Sequence, residues 1–92
     1  MLLTRRLVVH GRVQGVFYRG WTVEQARLLR LDGWVRNRHD GTVEMLVSGE
    51  DSAIDEMIAR CRGGPPAARV ERIEVEDSAE TPPAGFETRP TA

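Results

Sequence analysis

The chain has 92 residues, 40% of them hydrophobic and 29% charged, and a formal net charge of −1 at pH 7. This is the composition of one small globular domain and not of a disordered chain. It shows no broad basic surface for nucleic acid or acidic membranes, and no apolar run approaches the roughly 20 residues of a membrane span. The single Cys61 cannot form an internal disulfide, and the first residues lack a hydrophobic signal core. We therefore expect a cytoplasmic protein without nucleic-acid or membrane partners.

The first elements in the chain are predicted to be a strand and a helix. A run rich in β-branched residues indicates a strand over about Thr4–Arg12. A rough helical stripe of apolar residues then indicates a helix over about Arg19–Arg30. An alternative is that this helix begins at Val23, with Thr22 and Gln25 forming a late capping box.

A hairpin and a second helix are predicted next. The dipeptide Asp40-Gly41 is a strong hairpin signal, and it joins predicted strands over Gly33–Arg38 and Thr42–Ser48. Apolar residues at helical spacing indicate a helix over about Asp51–Arg62, with Cys61 on its buried face. The glycines and prolines that follow end this helix.

The remaining residues complete a recognisable order of elements. A fourth strand is expected over Val70–Glu76, with Ile73 and Val75 facing inward, and Phe86–Arg89 can add a short edge strand. The order β-α-β-β-α-β is that of the ferredoxin-like split βαβ fold, an α+β fold in which one antiparallel sheet carries both helices on one face. We expect one domain over residues 1–92, with its core at about 4–89. The fold alone does not define a function.

The turn between the first strand and the first helix is a candidate anion site. It contains Gly11 and Gly15 and ends at Arg19. The backbone N–H groups at a helix start have no partners within the helix, and the helix dipole places positive charge there. An arginine at the helix entrance adds a rigid fork of donors suited to phosphate. The turn is therefore predicted to hold a phosphate-sized dianion.

Two stretches of the chain resemble the signatures of the acylphosphatase family. The first is Gly11-x-Val13-Gln14-Gly15-Val16-x-x-Arg19, and the second is Gly33-Trp34-Val35-Arg36-Asn37-x-x-x-Gly41-x-Val43. The resemblance covers about Leu7–Arg89. It implies hydrolysis of a carboxyl–phosphate mixed anhydride to a carboxylate and inorganic phosphate, with Arg19 binding phosphate and Asn37 holding the attacking water.

The chemistry of these residues agrees with that resemblance. The leaving group of an acyl phosphate is a carboxylate, which departs without protonation, and the motifs supply no acid, histidine or cysteine. Positioning and charge stabilisation remain, and these dominate phosphoryl transfer. We expect Asn37 to orient the water, and no metal or cofactor to be needed. Inorganic phosphate is the expected product and a competitive inhibitor. The phosphoryl oxygens are predicted to bind Arg19 and the backbone N–H groups of Gly15, Val16, Phe17 and Tyr18.

Three alternative functions of proteins with this fold predict different features of the chain. A non-catalytic phosphate-binding module would use the same loop without turnover. An RNA-binding module would need aromatic residues on the central strands, and the third predicted strand has none. A carbamoyl-phosphate-handling domain of hydrogenase-maturation carbamoyltransferases would belong to a much longer chain. We expect a monomer, and no motif identifies the acyl group.

One residue departs from the family pattern. The family usually has glycine where this chain has Arg30, just after the first predicted helix. A glycine there would suit a left-handed helix C-cap, and arginine in that conformation would cost on the order of 1 kcal/mol. The departure concerns the end of the helix and not the chemistry.

Overall fold

The computed structural model describes residues 1–92, which form a five-stranded sheet and two helices. The longer helix has 13 residues, and neither is long and apolar enough to cross a membrane. In chain order the elements are β1 (Leu2–Arg12), α1 (Tyr18–Leu28), β2 (Asp32–Asn37), β3 (Val43–Glu50), α2 (Asp51–Gly63), β4 (Arg69–Asp77) and β5 (Phe86–Thr88).

The strand order β4-β1-β3-β2-β5 brings the ends of β1 and β2 together. All neighbouring strands are antiparallel except β2 and β5, which pair in parallel. Val43 of β3 pairs with Val9 on one side and with Asn37 on the other. The loop that follows β1 therefore lies at the same edge of the sheet as Asn37.

Both helices pack on one face of the sheet, as the ferredoxin-like prediction requires. Helix α1 lies against β2 and β5, and α2 lies against β3 and β4. The core between helices and sheet is built from inward-facing residues of the central strands and one stripe of each helix. Its fully buried members include Leu7, Met45, Ile54 and the predicted core residue Cys61.

The other face of the sheet is partly covered by the segment between β4 and β5. Trp34 is 2% exposed on this face, and its indole Nε1 donates a hydrogen bond to Glu80 in that segment, at 3.0 Å. The guanidinium carbons of Arg36 and Arg89 lie 4.6 and 5.0 Å from the centre of the Trp34 ring. Trp34 is therefore packed, but outside the core beneath the helices.

The beginning of α1 agrees with the main sequence prediction within one residue and excludes the alternative. The helix begins at Tyr18, so the alternative start at Val23 is wrong. The capping box is wrong too, because Thr22 is buried inside the helix and the residue at the cap, Phe17, makes no side-chain capping bond. The sequence located this start but not its cap residue, because a left-handed phenylalanine is not a usual cap.

The end of α1 forms a Schellman motif around Arg30. Arg30 has φ 57°, its N–H donates to the Arg27 carbonyl at 3.1 Å, and the Leu31 N–H donates to the Ala26 carbonyl at 2.9 Å. Glycine usually occupies this left-handed position, as the resemblance to the family pattern implied. The helix accordingly ends at Leu28 and not at the predicted Arg30.

Strand β4 is less buried than its sequence predicts. It forms one edge of the sheet, and Val75, which was expected to face inward, is 38% exposed. Ile73 is half-buried and packs against the core. An edge strand is covered by fewer neighbours than a central one, which explains why alternation overestimates its burial.

Candidate active site

The loop between β1 and α1 presents a row of unbonded backbone donors. Gly15 and Phe17 have φ values of 73° and 64°, with Val16 between them. Alternating left- and right-handed residues turn successive N–H groups toward a common centre and form an anion-binding nest. No backbone N–H from Gly15 to Gly20 donates a hydrogen bond within the chain. These donors, at a helix N-terminus, are available to a bound anion.

Arg19 adds a positive charge without an ion-pair partner to these donors. It lies in the first turn of α1, is half-buried and makes no hydrogen bond or ion pair with the rest of the chain. By contrast, Arg6 and Arg36 both bind the buried Glu44 carboxylate, with Arg36 Nε 2.7 Å from Glu44 Oε1. The guanidinium of Arg19 is thus available for bidentate contact with a phosphoryl group.

Asn37 lies at the end of β2 with its backbone fixed and its side-chain amide unbonded. Its carbonyl accepts a hydrogen bond from the N–H of Ala92 at 3.0 Å. The side-chain Oδ1 is buried without a hydrogen-bond partner, and Nδ2 also makes no bond within the chain. A 180° rotation of the side-chain amide, which exchanges Oδ1 and Nδ2, therefore breaks no hydrogen bond within the protein. Either amide atom can face the pocket, so the side chain can accept a hydrogen bond from water or donate one.

These groups meet in one pocket of about 300 Å³. That volume lies at the lower end of the roughly 300–1,000 Å³ of small-molecule sites. Of the residues predicted from the sequence, the structure places five on the pocket wall: Gly15, Phe17, Tyr18, Arg19 and Asn37. Val16 does not line it, and its side chain packs against the core. A contribution from the Val16 backbone N–H stays a prediction.

Sequence reasoning missed three residues that line the pocket, Val13, Gly20 and Thr88. Val13 and Gly20 flank the predicted loop, and their closeness in sequence was the available signal. Thr88 is contributed by β5, and no local pattern pointed to it. It reaches the pocket because β5 pairs with β2 in parallel.

Gln14 connects the loop to the hairpin that carries Asn37. Its side-chain Nε2 donates to the carbonyls of Arg38 and Thr42, at 2.8 Å each. Arg38 directly follows Asn37, so these two bonds hold the β1–α1 loop and the asparagine at a fixed separation. The sequence motif includes Gln14, but nothing in the sequence identified its partners.

Tyr18 anchors the start of α1 in the core. Its hydroxyl donates to the backbone carbonyl of Cys61 at 2.7 Å, which joins the first turn of α1 to the last turn of α2. Burial raises the pKa of the Tyr18 hydroxyl well above its ordinary value, so it stays a neutral donor. Burial also raises the pKa of the Cys61 thiol to about 12, which leaves it unreactive near neutral pH.

The pocket wall limits the chemistry that is available. It contains no aspartate, glutamate, histidine or cysteine. The chain has no cluster of three or more such residues that could hold a metal ion. The side chains present can bind an anion, orient a polar molecule and neutralise developing charge. The hydroxyl of Tyr18 is bonded to the Cys61 carbonyl, so no side chain on the wall is free to act as a general acid or base.

Fold and site together define a small ferredoxin-like protein whose pocket places unbonded backbone donors and an unpaired arginine at a helix N-terminus. The Acylphosphatase family profile matches residues 5–88. An acylphosphatase of Rhizorhabdus wittichii is 55% identical over 89 residues, which cover 97% of this chain and 90% of that protein. The chain belongs to the acylphosphatase family.

Solved structures agree with this membership. The crystal structure of an acylphosphatase from Bacillus subtilis matches with a TM-score of 0.89 and 36% identity, covering 97% of this chain and 99% of that one. The chain also matches 12% of the length of HypF from T. kodakarensis, with a TM-score of 0.81 and 28% identity over 97% of this chain.

Proposed function

We propose that the chain hydrolyses acyl phosphates to a carboxylate and inorganic phosphate in the pocket between the β1–α1 loop and Asn37. The observation that carries this proposal is the unpaired Arg19 beside backbone donors that bond nothing else in the chain. An arginine in the first turn of a helix, half-buried and without a carboxylate partner, leaves positive charge unbalanced at a helix N-terminus. A phosphoryl group supplies the missing negative charge.

The mechanism follows from what the pocket contains. The N–H groups of the loop and the Arg19 fork hold the phosphoryl oxygens and stabilise the charge that spreads over them in the transition state. Asn37, on a different strand, orients a water for in-line attack on phosphorus. The carboxylate leaves without protonation. Because no base lines the pocket, the proton of the attacking water passes to a phosphoryl oxygen.

Release of phosphate from benzoyl phosphate or acetyl phosphate tests the proposal. We expect turnover above the spontaneous rate and competitive inhibition by inorganic phosphate, since product and substrate share the loop. Phosphate inhibition that lowers only the maximal rate would contradict a shared site. Phosphate binding without turnover of either substrate would identify a non-catalytic anion-binding module instead.

We also propose that the chain works as a monomer in the cytoplasm. Apart from Met1 and Leu2, which are neighbours, its large exposed apolar residues are separated along the chain. Scattered residues of this kind do not make an interaction surface. The buried, unpaired Cys61 is compatible with a reducing compartment. Light scattering on the purified protein measures the oligomeric state, and a stable dimer would contradict the first part of this proposal.

A further inference from the structure

The pocket has one largely exposed apolar side chain, that of Phe17. Of the apolar side chains on its wall, Val13 and Tyr18 are each 1% exposed, whereas Phe17 is 66% exposed. Thr88 is exposed too, but it offers only a methyl group beside its hydroxyl. An apolar part of a bound molecule that extends beyond the phosphate site therefore meets the ring of Phe17.

The location of this ring is determined by its backbone and by Gly20. Phe17 has φ 64°, a left-handed conformation that residues other than glycine rarely adopt. Its ring lies in the space that a side chain at position 20 would occupy, since a Cβ on Gly20 would overlap the ring atoms. The ring thus lies over the first turn of α1, next to the residue that holds the phosphate.

Two features of Phe17 lower the stability of the folded chain when no ligand is bound. The left-handed backbone is strained for a phenylalanine, and exposure leaves most of the ring in water. A single exposed hydrophobic residue on a protein surface needs no explanation. Strain and exposure combined in one residue of a substrate pocket are typical of a functional position.

We propose that the Phe17 ring forms the acyl subsite of the pocket and makes the chain prefer acyl phosphates with apolar, especially aromatic, acyl groups. The inference rests on the proposed function, because it concerns the other half of the same substrate. With the phosphoryl group bound to the loop and Arg19, the acyl group points out of the pocket. There an aromatic acyl group can pack against the ring in an offset or edge-to-face arrangement, whereas an acetyl group covers little of it.

The test compares two substrates on each variant. For wild type, Phe17→Ala and Phe17→Leu, kcat/KM is measured with benzoyl phosphate and with acetyl phosphate, and the ratio of the two values is the readout. Any effect of the substitution on the phosphate loop is common to both substrates and cancels in the ratio. We expect Phe17→Ala to lower the ratio about 3- to 10-fold, and Phe17→Leu to lie between alanine and wild type. The loss should appear mainly as a higher KM for benzoyl phosphate, because the contact exists before and during the reaction.

Leu28→Ala is the matched control. Leu28 is 73% exposed on α1 and does not line the pocket, so its truncation removes a similar exposed apolar group elsewhere. Its ratio should equal that of wild type. A ratio in Phe17→Ala within twofold of wild type would overturn the acyl subsite, as would an equal fall in Leu28→Ala. A wild-type protein that hydrolyses neither substrate would overturn the proposed function itself, and the subsite with it.

Discussion

Replacing Asn37 by alanine separates the catalytic role proposed for this residue from a structural one. The side-chain amide makes no hydrogen bond within the chain, so its removal breaks none. The backbone bond from the Asn37 carbonyl to Ala92 stays intact. We expect the free energy of unfolding to change by less than about 1 kcal/mol, which corresponds to a shift in Tm of at most about 4–8 °C for a domain of this size.

The rate should respond far more strongly than stability. Loss of one preorganised polar contact to a reacting group costs about 2.7–4 kcal/mol, or roughly 100- to 1,000-fold in kcat. Phosphate affinity should change little, because in the proposed mechanism the β1–α1 loop and Arg19 hold the anion. The assay combines the Tm, the phosphate Kd and kcat on one purified variant. His39→Ala, an exposed position in the same hairpin but outside the pocket, is the control for local disturbance.

The results distinguish three roles of Asn37. A large loss of stability together with activity would make it a structural turn residue. A phosphate Kd that weakens in step with the rate would make it a phosphate ligand. Asn37→Asp keeps the size but adds negative charge beside a dianion, so we expect it to be as inactive as the alanine variant and to bind phosphate less well. A rapid Asn37→Asp enzyme would refute the positioning mechanism.

Four further changes test other parts of the structure. Arg19→Lys keeps the charge but loses the bidentate fork, so kcat/KM should fall roughly 30- to 1,000-fold, a loss of about 2–4 kcal/mol; near-normal turnover would show that the fork is dispensable. Tyr18→Phe removes the donor to the buried Cys61 carbonyl, and thermal unfolding should show a loss of about 1–3 kcal/mol. Arg30→Gly relieves the left-handed C-cap and should raise stability by about 0.5–1 kcal/mol without changing kcat; a lower Tm would contradict the strain. Burial disfavours the charged form of Glu44, but hydrogen bonds from Arg36 and Arg6 outweigh this and hold its pKa below the ordinary value of 4.5. The ionised Glu44 carboxylate therefore contributes its full stabilisation of the fold above about pH 4.5, and this contribution is lost as the pH falls through the lowered pKa. Glu44→Gln should accordingly have a lower Tm than wild type at pH 7, and the two Tm values should converge in acid.

The parts of the site that could be predicted from sequence are local. The β1–α1 loop, Arg19 and the Asp40-Gly41 hairpin depend on residues close together in the chain, whose backbone preferences are known. The partners of Gln14 and the approach of Thr88 depend on strand register and on pairing between distant segments. Such contacts have no periodic or compositional signature. The burial of Glu44 between two arginines on the less covered face of the sheet could not be foreseen for the same reason.

The left-handed Phe17 is the least predictable residue of the site, and its surroundings explain how the chain maintains it. A non-glycine residue in this conformation costs roughly 1–2 kcal/mol. On one side, two hydrogen bonds from Gln14 hold the loop to the hairpin, and on the other, the Tyr18 hydroxyl binds the end of α2. At about 0.5–1.5 kcal/mol for each hydrogen bond, these three bonds together are large enough to offset the strain. The protein's own hydrogen bonds therefore fix the shape of the loop, and in the proposed mechanism its donors need little reordering to meet the charge that develops during the reaction.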